Sequence, residues 1–177
     1  MAKTNPEIEL IKKDLFETDH AKVVDALKRA REMGNHSLIE PMLTLYAGNS
    51  DEVVKAEIKD MLSTLKVSKA QAELEAALVN PSFAGIKADV LSFLWNSGMN
   101  PVGSMRQIVH AAIDGDFMTA LEALTLLESL TGPFDEAVLM ESVLALREAL
   151  EDRKNDDKRD LLRSCFQLLH NLQSAEE

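Results

Sequence analysis

Four histidines (His20, His36, His110 and His170) and one cysteine, Cys165, are the residues of this chain best suited to ligating a metal or acting as a nucleophile. Their spacing predicts neither role. Two histidines sharing a metal on one helix sit about four residues apart beside an acid; these four are scattered along the chain. His36 falls at an expected helix start and His110 on an expected partly exposed face. Cys165 lies in an apolar stripe beside Phe166 and Leu169. A reactive thiol needs partial exposure and positive surroundings, and Arg163 points elsewhere on the helical wheel, so Cys165 reads as buried and inert. A single cysteine also permits no internal disulfide and no cysteine-based metal site.

Carboxylates are plentiful, and pairs such as Glu151-Asp152 and Asp156-Asp157 are expected by chance. Catalytic pairs need one member in an apolar cleft with a raised pKa. These acids share a run with Arg153, Lys154, Lys158 and Arg159, which reads as a solvated connection and helix cap. There is no phosphate-cradling glycine loop, nucleophile elbow or dinucleotide motif. No catalytic residue, metal or cofactor is therefore assigned, and the chain does not read as an enzyme. Trp95, the only tryptophan, precedes Asn96-Ser97-Gly98; it is either core beneath a loop or an aromatic anchor at an interface.

The elements that would position these residues are helices. Apolar residues make up 46% and charged residues 28%, with Leu, Ala, Glu and Lys recurring and Gly and Pro sparse, a mixture that favours helix. Breaks recur at Met33-Gly34-Asn35, Gly48-Asn49-Ser50, Val67-Ser68, Asn80-Pro81-Ser82, Ser97 to Pro101, Asp114-Gly115-Asp116, Thr131-Gly132-Pro133 and Asn155-Asp156. Asn5-Pro6, Asn80-Pro81 and Asn100-Pro101 each read as an N-cap before a pre-set first residue. Ser37-x-x-Glu40 and Ser68-x-x-Gln71 fit the capping box. Between breaks, apolar residues such as Val54, Ile58, Met61, Leu62 and Leu65 fall three or four apart, the spacing of a one-sided helix. No segment alternates as a half-buried strand does. Short loops make successive helices antiparallel hairpins.

The formal net charge of −11 and pI near 4.8 disfavour nucleic acid and anionic membranes, which are held by clustered Lys and Arg. No stretch approaches the roughly 20 apolar residues of a membrane span, and no apolar run follows the N-terminus. The reading is a cytoplasmic chain with no membrane partner.

An internal repeat is visible. Lys55-Ala56-Glu57-Ile58-Lys59-Asp60-Met61-Leu62 aligns with Lys87-Ala88-Asp89-Val90-Leu91-Ser92-Phe93-Leu94, and Leu121 to Leu127 forms a third, looser copy. An acid (Glu57, Asp89, Glu122) precedes an apolar residue in each, and two more apolar residues close the face. A period in the low thirties with two helices per unit signals an α-solenoid.

The copy Asp51-Glu52-Val53-Val54-Lys55-Ala56-Glu57-Ile58, closed by Leu62, resembles the HEAT-repeat pattern, and Ile86-Lys87 fits its apolar-basic pair. The likeness spans roughly residues 19 to 150, although the third copy lacks the basic residue. Phe93 to Asn100 and Glu122 to Glu128 also look like uncharacterised acidic HEAT-like proteins of Bacteroidetes, a group with no established activity to carry over. The Trp, Leu-Gly and Tyr positions of tetratricopeptide repeats are not found. The resemblance implies an all-α fold, a right-handed α-α superhelix (a HEAT/armadillo-like solenoid of antiparallel helix pairs), with a compact bundle as the alternative. One domain, residues 1–177, is expected, with an N-terminal capping helix at 6–17, helix-pair repeats over 19–155 and a C-terminal capping helix at 156–173.

The expected function is a non-enzymatic scaffold binding another protein or a peptide of basic character. Its inner surface would use the second helices of each pair, near 37–47, 68–79, 103–115 and 134–150. Glu40, Glu75, Arg106, His110 and Arg147 are candidate contacts there, with Trp95 as a possible anchor. Two other classes compete: a small-molecule carrier or enzyme with a pocket between helices, and a HEAT-like nucleic-acid binder, which the acidic charge disfavours.

Overall fold

The computed structural model describes residues 5–48, 51–66 and 69–176. Every regular element among them is helical. The chain divides into two compact units, with the boundary between Gly85 and Ile86. The first holds α1 (Pro6–Asp14), α2 (His20–Met33), α3 (Ile39–Gly48), α4 (Glu52–Ser63) and α5 (Ala70–Val79). The second holds α6 (Lys87–Asn96), α7 (Met105–Asp114), α8 (Phe117–Ser129), α9 (Glu136–Glu151) and α10 (Arg159–Glu176). Short 3-10 turns, His36–Leu38, Val102–Ser104 and Arg153–Lys158, lead into α3, α7 and α10, and a fourth, Pro81–Ile86, leads into α6.

The apolar positions of the repeat are the core. Ile58, Val90 and Ala123, and the pairs Met61-Leu62, Phe93-Leu94 and Leu126-Leu127, are all buried. Their three-and-four spacing gathers them on one stripe of each helix, and burying each of the larger side chains among them removes about 1.5–3 kcal/mol of unfavourable hydration.

Helix starts follow the chemistry of short polar side chains. Asn5, Asp19, Asp51, Asp116 and Asp135 each accept a hydrogen bond from a backbone N–H in the first turn of α1, α2, α4, α8 and α9, donors that otherwise have no partner. Asn80 caps the turn after α5 by accepting from the Ser82 N–H at 2.9 Å. The cap position before Val102–Ser104 is Pro101, one residue after Asn100. The Asn100 side chain bridges to the backbone of Thr131, 2.8 Å to the carbonyl and 3.0 Å from the N–H. The capping box at Ser37 is also displaced: a 3-10 turn precedes α3, so the cap is Asn35, which accepts from the Ser37 N–H at 2.9 Å. Ser68 and the breaks at Asn49-Ser50 and Val67-Ser68 lie outside the described residues. Gly34 ends α2 in the left-handed region, φ 55°, where glycine carries no Cβ penalty.

These caps set an acid-side dependence. Bonds from the Val54 and Val53 N–H groups hold the Asp51 carboxyl below its ordinary value of 3.8, and the Thr119 hydroxyl and N–H do the same for Asp116. A depressed folded pKa contributes stability that is complete above 3.8 and lost as pH falls through the folded value. The double variant Asp51→Ala, Asp116→Ala is therefore less stable at neutral pH, and its stability falls less steeply below pH 4. Denaturant midpoints from pH 7 to 2.5 measure this; parallel profiles for variant and parent would refute it.

Side-chain pairings show how alternate helices run. In the first unit His20 Nδ1 lies 2.8 Å from Asp51 Oδ2 at the starts of α2 and α4. Arg31 meets Glu57 and Asp60 at 3.0 and 2.7 Å towards their ends. His36 Nδ1 and Glu73 Oε1 are 2.8 Å apart near the starts of α3 and α5, and Thr44 and Ala47 share a groove with Asn80 and Phe83 near their ends. In the second unit Trp95 Nε1 donates to Glu122 Oε2 at 2.7 Å, and Asn100 meets Thr131 further along, after α6 and α8. Arg106 pairs with Glu141, and His110, Ile113 and Asp114 then share a groove with Ala145, Glu148 and Ala149. In every case the pairing advances the same way on both helices. Thus α2 and α4, α3 and α5, α6 and α8, and α7 and α9 are parallel pairs, each with one helix between them in sequence.

The recurring acid of the repeat is explained in two copies. Glu57 reaches back from α4 to Arg31 on α2, and Glu122 reaches back from α8 to Trp95 on α6. Glu122→Ala should cost about 1 kcal/mol, the net worth of one such hydrogen bond, and shift the emission of the only tryptophan. Unchanged emission and denaturation midpoint would show that water replaces the carboxylate without loss.

Candidate partner surface

The second helices of the second unit carry two outward rows. On α7, Met105, Ile108, Val109, Ala111 and Ala112 are buried, which leaves Arg106, His110 and Asp114, four apart, facing out. On α9, Leu139, Ser142, Val143, Leu146 and Ala149 are buried. The outward row there is Met140, Leu144, Glu148 and Asp152, again four apart. Met140 and Leu144 are 51% and 48% exposed, uncommon for large apolar side chains in adjacent turns of one face. Between the lower halves of the rows lies a groove of about 290 Å³, with Ile113, Ala145 and Ala149 between His110, Asp114, Glu148, Asp152 and Lys154. Asp152 accepts from the Lys154 N–H at 3.0 Å and faces its ammonium at 3.4 Å.

Two parallel helices place their negative C-terminal ends side by side, and neither α7 nor α9 has a basic residue in its last turn. Cations belong there. They arrive from the 3-10 turn before α10. Lys158, 4% exposed, donates from Nζ to the carbonyls of Ala112 (2.9 Å), Ile113 (2.6 Å) and Gly115. All three ammonium donors are thereby used on the end of α7. Arg159 donates to the Leu150 carbonyl at 2.6 Å on α9 and pairs with Asp156. Burial pushes Lys158 below the usual lysine range, with Asp157 and Asp114 pulling it back up. The run expected to be a solvated connection is thus solvated only in part. Lys154, Asp156 and Asp157 are exposed, but Lys158 is drawn inside because the orphan carbonyls of α7 need donors.

Of the sequence candidates, His110 lines this groove and Arg106 stands in the same row of α7, while Glu40, Glu75 and Trp95 lie on other helices. Arg106 is committed to Glu141 and Arg147 is exposed on α9. Glu40, on α3, lines a groove of about 360 Å³ at the ends of α3 and α5 in the first unit. Glu75 accepts from the Gln71 amide at 2.6 Å. Trp95 is half-buried on a first helix and its N–H is spent on Glu122. His36 stands at a helix start against Glu73, and His110 is exposed. Cys165 is fully buried, and burial pushes its thiol up to about 12. Met140, Leu144, Glu148 and Asp114 were not among the sequence candidates; their four-residue rows were the signal that could have found them.

A third groove, about 450 Å³, lies in the first unit beside Ile39, Met42 and Met61. Its polar neighbours are engaged locally: Arg31 with Glu57 and Asp60, Asn35 with the Ser37 N–H, Thr64 with the Asp60 carbonyl. Among the described residues no three His, Cys, Asp or Glu side chains converge to hold a metal, and no helix is long and apolar enough to cross a membrane. Comparison with protein-family models, curated proteins and solved structures finds no match.

Proposed function

We propose that the chain is a HEAT-like solenoid, a right-handed superhelix of helix hairpins, that acts in the cytoplasm as a non-enzymatic scaffold for another protein or a peptide. The observation that carries this reading is the parallel pairing of alternate helices, seen in both units. Stacked hairpins of one repeat length bring first helix against first and second against second in direct parallel contact, whereas in an up-down four-helix bundle alternate helices are parallel but lie diagonally across the shared core. Solenoids present their second helices as a binding face, and here that face carries Met140 and Leu144 uncovered beside carboxylates. The net charge of −11 speeds encounter with a basic partner more than it raises affinity and disfavours nucleic acid.

The small-molecule reading is weaker because the largest groove described above has its polar groups engaged within the fold. The test is capture of partners by the tagged full chain from its native lysate, at low and moderate salt. A reproducible protein partner whose recovery falls with salt, and falls further when Leu144→Ser is introduced, is the expected result. Recovery of nucleic acid alone, or of nothing, overturns the scaffold reading.

A further inference from the structure

We propose that the groove between the C-terminal ends of α7 and α9 receives a cationic side chain, arginine in preference to lysine, from a basic peptide whose neighbouring apolar residue rests on Leu144 and Met140. This rests on the scaffold reading and names the chemistry of its partner.

Three features converge on a cation. The parallel ends of α7 and α9 add their negative dipole ends in one place. Asp114, Glu148 and Asp152 stand at those ends, where helices ordinarily carry Lys, Arg or His. Lys158 and Arg159 offset the ends, with all three Lys158 donors spent on carbonyls and Arg159 bonded to the Leu150 carbonyl and to Asp156. Of the cations that line the groove, Lys154 faces Asp152 at 3.4 Å with its side chain 63% exposed, a loose pair worth little. The second unit as a whole carries eight Lys and Arg against sixteen Asp and Glu, so the field around the groove is negative beyond its lining.

The apolar features select the rest of the ligand. Ile113, Ala145 and Ala149 form a surface against which the methylene stem of a long cationic side chain can lie, as such stems do along apolar surface. Guanidinium suits the site better than ammonium because it is planar, weakly hydrated and able to bridge two carboxylates. One turn back along α9 from Glu148, Leu144 and then Met140 offer an uncovered apolar step. A ligand that alternates arginine with leucine satisfies both halves of the row.

The probe is a fluorescein-labelled twelve-residue peptide alternating arginine and leucine, with lysine and citrulline counterparts, titrated into the full chain and read by anisotropy. The paired variant Asp114→Asn, Glu148→Gln should weaken arginine-peptide binding about five-fold or more, corresponding to about 1 kcal/mol. A control with the same charge change in the same unit, Glu128→Gln with Glu136→Gln, should change it less than about two-fold. Lys154→Ala should tighten binding, and citrulline should abolish it. Amide shift changes on titration should centre on His110 and Leu144. Unchanged helical circular dichroism and melting temperature show that each variant is folded.

Equal weakening by the site and control pairs, shift changes spread over all acidic surfaces, or no binding overturns the groove as the site. The scaffold reading is tested separately, because capture of a partner from lysate does not depend on this peptide.

Discussion

Lys158→Met lowers the unfolding free energy of the second unit by about 3 kcal/mol, the largest loss expected from any single substitution outside the apolar core. Methionine keeps the length and apolar bulk of the stem, so packing is nearly conserved. What disappears is the donor set: Ala112, Ile113 and Gly115 lose the ammonium that satisfies them. Hydrogen bonds to a charged donor are worth about 1.5–3 kcal/mol each. The net is far below their sum, because burying the charge is itself costly and the partly buried Ile113 and Gly115 contacts can recover water. Denaturation followed by circular dichroism measures the change. A loss under about 0.5 kcal/mol, the scale of an ordinary surface substitution, would mean that water replaces the ammonium completely.

Gly115→Ala acts on the other half of the same contact and should cost about 2 kcal/mol, within the range for forcing extra atoms into a packed site. A Cβ on Gly115 would fall 2.5 Å from Cβ and Cγ2 of Thr119 and 2.6 Å from the Ala111 carbonyl oxygen. The backbone here is extended, φ −81° and ψ −178°, so the demand for glycine is for space and not for a left-handed turn. Relief requires moving the turn that presents the Gly115 carbonyl to Lys158, or moving Thr119 away from the Asp116 carboxylate it donates to at 2.7 Å. The two substitutions damage one contact, so the double variant should lose less than the two single losses combined. Strict additivity would show that Gly115 and Lys158 act independently.

The helices were legible in the sequence because their stripes are regular and their ends carry Asn, Asp, Gly and Pro. The second helices expected near 37–47, 68–79, 103–115 and 134–150 are α3, α5, α7 and α9, differing by at most two residues at the ends. The aligned apolar residues of the three copies are buried because their three-and-four spacing gathers them on one stripe of each helix. The tertiary partners were harder to see. Lys158 sits in a run of mixed charge that resembles solvated linkers, and its acceptors are 43 to 46 positions away. A hint was present: α7 ends at Asp114-Gly115 with no local cation, so its carbonyls needed a distant one. Trp95 and Glu122 each stand out in the sequence, but they lie 27 positions apart on different helices and no local pattern joins them. The outward faces were the least legible, because exposed Met and Leu read in sequence as more core.

The buried thiol gives the molecule a built-in clock. Cys165 lies in the face of α10 turned towards α8 and α9, between Leu162 and Leu169, and with its thiol held near 12 almost none of it is thiolate at neutral pH. An alkylating reagent reaches it only during moments when α10 lifts away and the thiol regains its ordinary acidity, so the labelling rate counts those excursions. Lys158, in the turn that leads into that helix, should govern how often they happen. Labelling that accelerates in Lys158→Met while the interior of the first unit stays protected from exchange would show the last helix to be a separately opening part of the protein.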